Sequence, residues 1–167
     1  ISEEAHQPIL QNIANSSVEL VDKFNEIIWA MNEKNNSLED LLYYMRNYTA
    51  SYCEENELAY KILIPEQIPA VILSGEMRRH IFLTVKEALH NVVKHAGAKN
   101  VRFAVQLDNS ITITVHDDGK GFDANEMSNA GNGLRSMEQR MKNVNGKLII
   151  ENEAGALLRI VAPFPNS

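Results

Sequence analysis

The sequence predicts an α+β fold: a two-layer α/β sandwich with helices on one face of a mixed sheet, preceded by a long N-terminal helix. Three observations lead there. Apolar residues recur at a helical period over the first 56 residues and again over 75–96 and 134–145. Alternating apolar and polar runs occupy 58–64, 101–107, 111–115, 147–151 and 157–162. The last four of these runs form two pairs, joined by Asp108-Asn109-Ser110 and by a turn around Gly155, as hairpins require.

Over 5–33, Leu10, Ile13, Leu20, Phe24, Ile27 and Met31 follow the alternating three-and-four spacing of a helix packed along another, and Ile9, Val18, Val21 and Ile28 widen the stripe. A solitary helix cannot keep that much apolar face in water, so a partner helix is expected, in a dimer or in upstream sequence. Residues 32–37 break the pattern. Ser37, with acidic Asp40 three positions on, caps a second helix through Leu38, Leu41, Leu42, Met45, Tyr48, Thr49 and Tyr52 to about Asn56. The strand at 58–64 is stopped by Pro65 and Pro69. A long helix follows Ser74 and ends at Gly97, with Ile81, Phe82, Val85, Ala88, Leu89, Val92, Val93 and Ala96 on its buried stripe. After the first hairpin, a helix from Leu134 to Asn145 stops at Gly146.

The 167 residues, 44% hydrophobic and 23% charged, suffice for one core. A net charge of −6 leaves no basic footprint, which argues against nonspecific nucleic-acid binding. Cys53 is the single cysteine, which excludes an internal disulfide and any multi-cysteine zinc site and fits a reducing compartment. No apolar run is long enough to span a bilayer, and Ile1-Ser2-Glu3-Glu4 lacks the features of a signal peptide. Without an initiating methionine, the chain is expected to be a piece of a longer protein.

Chemistry-bearing residues cluster in three places. Glu87, Asn91 and Lys94, flanked by His95, project from the polar side of the long helix; such a face is either solvated or able to offer an oxygen to Mg²⁺. Asp117 and Asp118 end a strand before Gly119-Lys120-Gly121, which reads as a turn or as a close approach to a ligand whose amino group a carboxylate accepts. Gly131-Asn132-Gly133 precedes the helix at Leu134, with Arg135 nearby: a linker and cap, or a phosphate-binding helix end. Four of the eight glycines thus fall within 119–133. The polar stretch 122–130 between them is short enough to be a lid. Neither a dinucleotide-binding glycine fingerprint nor a P-loop is present.

Read in order, E87-A-L-H-N91-V-V-K94-H95, D117-D118-G119-K120-G121-F122 and G131-N132-G133-L134 resemble the N, G1 and G2 boxes of the GHKL (HATPase) superfamily. The short stretch between Asp117 and Gly131 is similar to the short-lid sensor histidine kinases that signal to helix-turn-helix response regulators. The resemblance covers about 58–163. It implies the Bergerat-type ATP-binding fold, with ATP and Mg²⁺ as cofactors. It further implies that Asn91 and Glu87 hold the metal and act in catalysis, that Lys94 and His95 face the phosphates, and that Asp117 reads the adenine. Gly119, Gly121, Gly131 and Gly133, with Leu134 and Arg135, would shape the pocket. One departure is Gly155-Ala156 where members usually have Gly-Thr, which removes a hydroxyl near the adenine and lowers the expected affinity.

E26-I-I-W29-A-M-N32 and S37-L-E-D-L are similar to the second helix of a dimerisation and phosphoacceptor domain and its connector, which divides the chain into 1–36 and an ATP-binding catalytic domain over 37–167. The helix carrying the phosphorylated histidine is expected to be missing: His6 lacks the acidic residue that should follow it, and Pro8 marks a first turn. His80, His90 and His116 read as ordinary histidines. The resemblance thus implies a protein histidine kinase fragment that delivers the ATP γ-phosphate to a histidine upstream, for relay to a response-regulator aspartate. Its expected partners are the receiver domain and its own dimerisation domain in a homodimer, with neither nucleic acid nor membrane contacted by this stretch. The expected location is the cytoplasm, with the parent anchored in the bacterial inner membrane. Two rivals share the pocket, a serine kinase of a separate partner protein and a nucleotide-binding interaction module without transfer; a third, a scaffold with plain glycine turns, binds no nucleotide.

Overall fold

The structure, a computed structural model, describes residues 7–122 and 132–165. The elements are α1 (Gln7–Met31), α2 (Leu38–Glu55), β1 (Ala59–Leu63), α3 (Gly75–Asn91), β2 (Asn100–Leu107), β3 (Ser110–Asp117), α4 (Asn132–Asn143), β4 (Lys147–Asn152) and β5 (Ala156–Pro163). A 3₁₀ turn at Glu33–Asn35 follows α1, and a π-helical turn at Val92–Ala96 extends α3.

The five strands form one sheet in the order β1-β2-β3-β5-β4. β1 runs parallel to β2 because α3 crosses over between them, and the other neighbours are antiparallel. The sheet is therefore mixed, as expected. Along β2, Val101, Phe103 and Val105 are buried while Arg102 and Gln106 are exposed, so only one face carries the core. That core also takes in Leu38, Leu41, Leu42 and Met45 of α2, Ile81, Val85 and Leu89 of α3, and Met137 and Met141 of α4. Each such side chain contributes about 1.5–3 kcal/mol on burial.

The caps form as the sequence demands. The Ser37 hydroxyl accepts from the Asp40 N–H at 3.0 Å and the Asp40 carboxylate accepts from the Ser37 N–H at 3.1 Å, a reciprocal box at the start of α2. Ser74 caps α3 by accepting from the Met77 N–H, and Gly97, at φ +62°, ends the π turn.

One expectation needs correction. A continuous α-helix to Ala96 would keep Val93 on the buried stripe, but the α-helix ends at Asn91 and Val93 is exposed. The wider π turn advances the backbone by a different angle per residue, which swings Val93 off the core while Ala96 stays on it.

The apolar stripe of α1 remains largely open. Ile9, Leu10, Ile13, Val18, Phe24, Ile28 and Met31 are 58–75% exposed, whereas Ala30 is buried. This is the uncovered face that the heptad-like spacing anticipates.

Candidate functional site

The period of β3 decides what its two terminal aspartates do. Ile111, Ile113 and Val115 alternate onto the helix-covered face, and Asp117 is the next inward position, 2% exposed. Its Oδ1 accepts from the Gly119 N–H at 2.8 Å and from the Ala156 N–H at 3.4 Å. Both bonds fall on one oxygen, which leaves Oδ2 as the acceptor that can meet a ligand amino group.

Asp118 has a different task. It lies exposed past the strand end, where Oδ1 accepts from the Lys99 and Asn100 N–H groups at 2.8 and 2.9 Å and Oδ2 accepts from the Asn100 side-chain amide at 2.7 Å. The Asn100 side chain and the two backbone donors hold its carboxyl down to about 2, below the usual 3.8. A depressed carboxyl stabilises the fold above its ordinary pKa, and that contribution disappears as pH falls through about 2. Asp118→Asn should therefore flatten the pH dependence of the melting temperature between about pH 4 and pH 2. Thermal melts across that range, followed by circular dichroism, compare the two proteins; equal slopes would contradict this role.

The loop after β3 is fastened at both ends. The Lys120 N–H donates to the Ala96 carbonyl at 3.0 Å, and a Cβ on Gly119 would stand 2.3 Å from that carbonyl oxygen, so only glycine lets the loop lie against the π turn. Gly121, at φ +75°, turns the chain toward Phe122. The Asn152 side chain then pairs with the Phe122 backbone, accepting from its N–H and donating to its carbonyl, both at 2.8 Å. Sequence reading did not single out Asn152 or Asn100. Their only local signal is a polar residue at a strand end, and the partners lie far along the chain.

The polar side of α3 meets the start of α4. Glu87 and Asn91, one helical turn apart, are both half-buried, and a Cβ on Gly133 would stand 2.5 Å from the Glu87 Oε1. Glycine at 133 therefore leaves room for the carboxylate. Leu134 packs against the core, while Arg135 is exposed. The Lys94 and His95 side chains are exposed on the π turn. Gly131 and all of the expected lid over 122–130 except Phe122 lie outside the described residues.

Three expected motifs thus converge on the α3 end: Glu87 against Gly133, and Ala96 against Gly119 and Lys120. The donors offered there are hard. A carboxylate and an amide oxygen one turn apart suit Mg²⁺, which takes few protein ligands and keeps phosphate and water oxygens. Among the described residues no group of three or more His, Cys, Asp or Glu side chains gathers as a transition metal would want. These residues fit a magnesium-bound polyphosphate.

His90, one helical turn after Glu87, lines the same cavity as that carboxylate, on the side of α2. Its Nε2 lies 3.3 Å from the Tyr48 hydroxyl and its ring 5.1 Å from that of Tyr52. Burial, then the Lys86 charge, push its pKa below the ordinary value.

The site's geometry agrees with what the chain resembles. The sequence model described as "Histidine kinase-, DNA gyrase B-, and HSP90-like ATPase" matches residues 76–166, which includes α3 and the loops after β3 and before α4. The chain is 39% identical over 82 residues to the sensor histidine kinase DesK of Bacillus subtilis, covering 48% of this chain and 22% of that protein. It is 25% identical over 171 residues to the sensor histidine kinase LiaS of the same species, covering 94% of this chain and 48% of that one. The chain thus spans about a fifth to a half of these curated relatives. Among solved structures, the ATP binding domain of PrrB from Mycobacterium tuberculosis superposes with a TM-score of 0.62 at 24% identity, covering 78% of this chain and 96% of that one. The histidine kinase AdeS of Acinetobacter baumannii gives 0.67 at 13% identity, over 99% of this chain and 87% of that one. Both likenesses are of fold. With the family match spanning more than half its length and the matched motifs gathered around one helix end, this chain belongs to the histidine kinase-, DNA gyrase B- and HSP90-like ATPases.

Proposed function

We propose that this chain is the ATP-binding catalytic part of a sensor histidine kinase. In this reading residues 37–167 bind Mg·ATP and present its γ-phosphate to a histidine on an upstream helix, from which it passes to an aspartate of a response-regulator receiver domain. Residues 1–36 are the second helix of the dimerisation and phosphoacceptor domain, with its connector. The observation that carries the reading is the buried Asp117, held by two backbone N–H groups on one oxygen at the rim of the loops that touch α3.

The roles follow from the chemistry of each group. Asp117 accepts from the adenine amino group; Gly119 and Gly121 let the backbone run close to the base. Asn91 and Glu87 would hold the Mg²⁺ ion, which when bound offsets the charge of the phosphates. Lys94 and Arg135 are exposed cations and His95 an exposed imidazole near this helix end, all able to meet phosphate oxygens, and the start of α4 at Asn132–Gly133 offers free N–H groups to the same charge. Phosphoryl transfer demands mainly alignment and charge neutralisation, which these groups supply without a nucleophile of their own. Such a chain works on the cytoplasmic side, where ATP is, within a membrane-anchored parent. The exposed stripe of α1 supports pairing with a second dimerisation helix in a homodimer and argues against the serine-kinase reading.

Calorimetric titration of Mg·ATP, alone and with Asn91→Ala, tests the pocket. Tight binding that depends on Mg²⁺ in the wild type and loses that dependence in Asn91→Ala supports the roles given; unchanged metal dependence contradicts them. Adding the parent's phosphoacceptor domain in trans with labelled ATP tests the transfer, which the chain alone should not perform.

A nucleotide-binding module without transfer is the second reading, and Ala156 favours it. This residue is 4% exposed and donates its N–H to Asp117, so a threonine hydroxyl here would stand beside the adenine-reading carboxylate. Ala156→Thr should tighten ATP binding about fivefold, the worth of roughly one hydrogen bond. Calorimetry measures it, and weaker binding would show that the site has no room for the group.

A further inference from the structure

Arg78 sits in the first turn of α3, far from the nucleotide site, and is 3% exposed. A guanidinium that deeply buried normally faces a carboxylate. The Asp40 carboxylate acts on this one only through its charge, and the guanidinium donates to three backbone carbonyls: Nη1 to Leu73 at 2.7 Å, and Nη2 to Ala30 and, at 3.3 Å, to Asn32. Nε holds no hydrogen bond to a described residue. Ala30 and Asn32 lie at the C-terminal end of α1, where unpaired carbonyls carry the negative end of the helix dipole. Arg78 is therefore the cationic cap of α1, supplied by another helix.

The surroundings make this a fitted joint. The guanidinium carbon lies 5.9 Å from the centre of the Trp29 ring, which stacks on Tyr44 at 4.1 Å, and Tyr44 meets Phe82 of α3 edge-on at 4.8 Å. A Cβ on Gly75 would stand 2.8 Å from the Ala30 carbonyl oxygen, so only glycine allows α1 this close to the start of α3. One turn back along α1, Glu26 pairs with Lys86, the residue before Glu87. α1 is thus tied twice to the one helix that ends at Glu87 and Asn91.

Withdrawn by an ångström or two, the carbonyls would leave a buried cation without acceptors, so the guanidinium is either seated or released to water. α3 runs from Arg78 in its first turn to Asn91 in its last, with its inward residues held in the core.

We propose that Arg78 is a positioning residue that couples the seating of α1 to nucleotide occupancy at the far end of α3. This rests on the nucleotide-binding reading above. Because coupling between two binding equilibria is reciprocal, a nucleotide that shifts the joint must itself bind with altered affinity when the joint is broken.

Trp29 is the only tryptophan of the chain, so its emission reports this joint directly. The intact chain is titrated with Mg·ADP while Trp29 fluorescence and calorimetric heat are followed in parallel. In the wild type the emission should change saturably, with the midpoint of the heat curve. Arg78→Gln should still bind Mg·ADP, with a Kd shifted by about fivefold, while the Trp29 change falls below about a third of the wild-type amplitude. If Arg78→Gln does not fold, Arg78→Lys takes its place, since an ammonium cannot span three carbonyls, and the same loss is expected. Glu39→Gln, on the exposed side of α2, should respond as the wild type does. A flat Trp29 signal across a titration whose heat saturates overturns the coupling alone, as does a full response in a folded Arg78 variant. No heat at all overturns the nucleotide-binding reading and this inference with it.

Discussion

Asp117→Asn should weaken ATP binding a hundredfold or more while leaving the melting temperature nearly unchanged. The two backbone donors that hold Asp117 both go to Oδ1. An asparagine can keep its carbonyl oxygen there and satisfy the same bonds, so the fold loses little. The other position changes from a charged acceptor to an N–H donor. A hydrogen bond to a charged group contributes about 1.5–3 kcal/mol, and setting donor against donor in a buried site costs about 1–3 kcal/mol more. The sum, about 3 kcal/mol or above, is more than two orders of magnitude in Kd. Calorimetry with a parallel thermal melt separates the two effects. Wild-type affinity in the variant would remove Asp117 from the adenine and with it the reading of the site.

Among the described glycines, Gly155→Ala should be the most damaging substitution. Gly155 lies at φ +132°, where side chains are not accommodated, and a Cβ there would stand 1.8 Å from the Asp117 carbonyl oxygen. No rotamer relieves this clash, because the atom it meets is backbone. The turn between β4 and β5 must move, and Asp117 with it. A loss of about 3 kcal/mol or more is expected, lowering the melting temperature by roughly 6–12 °C, with loss of nucleotide binding. Gly97→Ala is the matching control: φ is +62° but nothing lies within 4 Å of the added carbon. It should cost about 1–2 kcal/mol and leave binding intact. Melts and titrations of both variants check the pair, and equal damage from the two would show that strain, not contact with Asp117, is what matters at 155.

The elements were legible because their signals are local. The Ser37–Asp40 box, the apolar stripes of α2 and of α3 as far as Val92, and the alternation along β2 and β3 each depend on residues a few positions apart, and these formed as read. The last turn of α3 was not legible as a π turn, since a period of 3.6 predicts Val93 inward and nothing in the local sequence states the change of winding. Candidate site residues were legible as types at particular element ends: Glu87 and Asn91 on a helix face, Asp117 at the inward end of a strand, glycines before a helix. The anchoring residues Asn100 and Asn152 and the capping Arg78 were not, because each acquires its role from a partner brought near only by folding.

By itself, then, the sequence determined which segments are helix or strand, which face of each is apolar and which residue types stand at the strand and helix ends. Tertiary structure alone decided how two adjacent aspartates divide their tasks, why alanine cannot replace Gly119 or Gly155, and that a buried arginine caps a helix from another part of the chain. The physical reason is range. Periodicity and caps are set by neighbours along the chain, whereas the approach of one backbone to another, and the pairing of a buried charge, depend on segments that meet only when the sheet and helices pack.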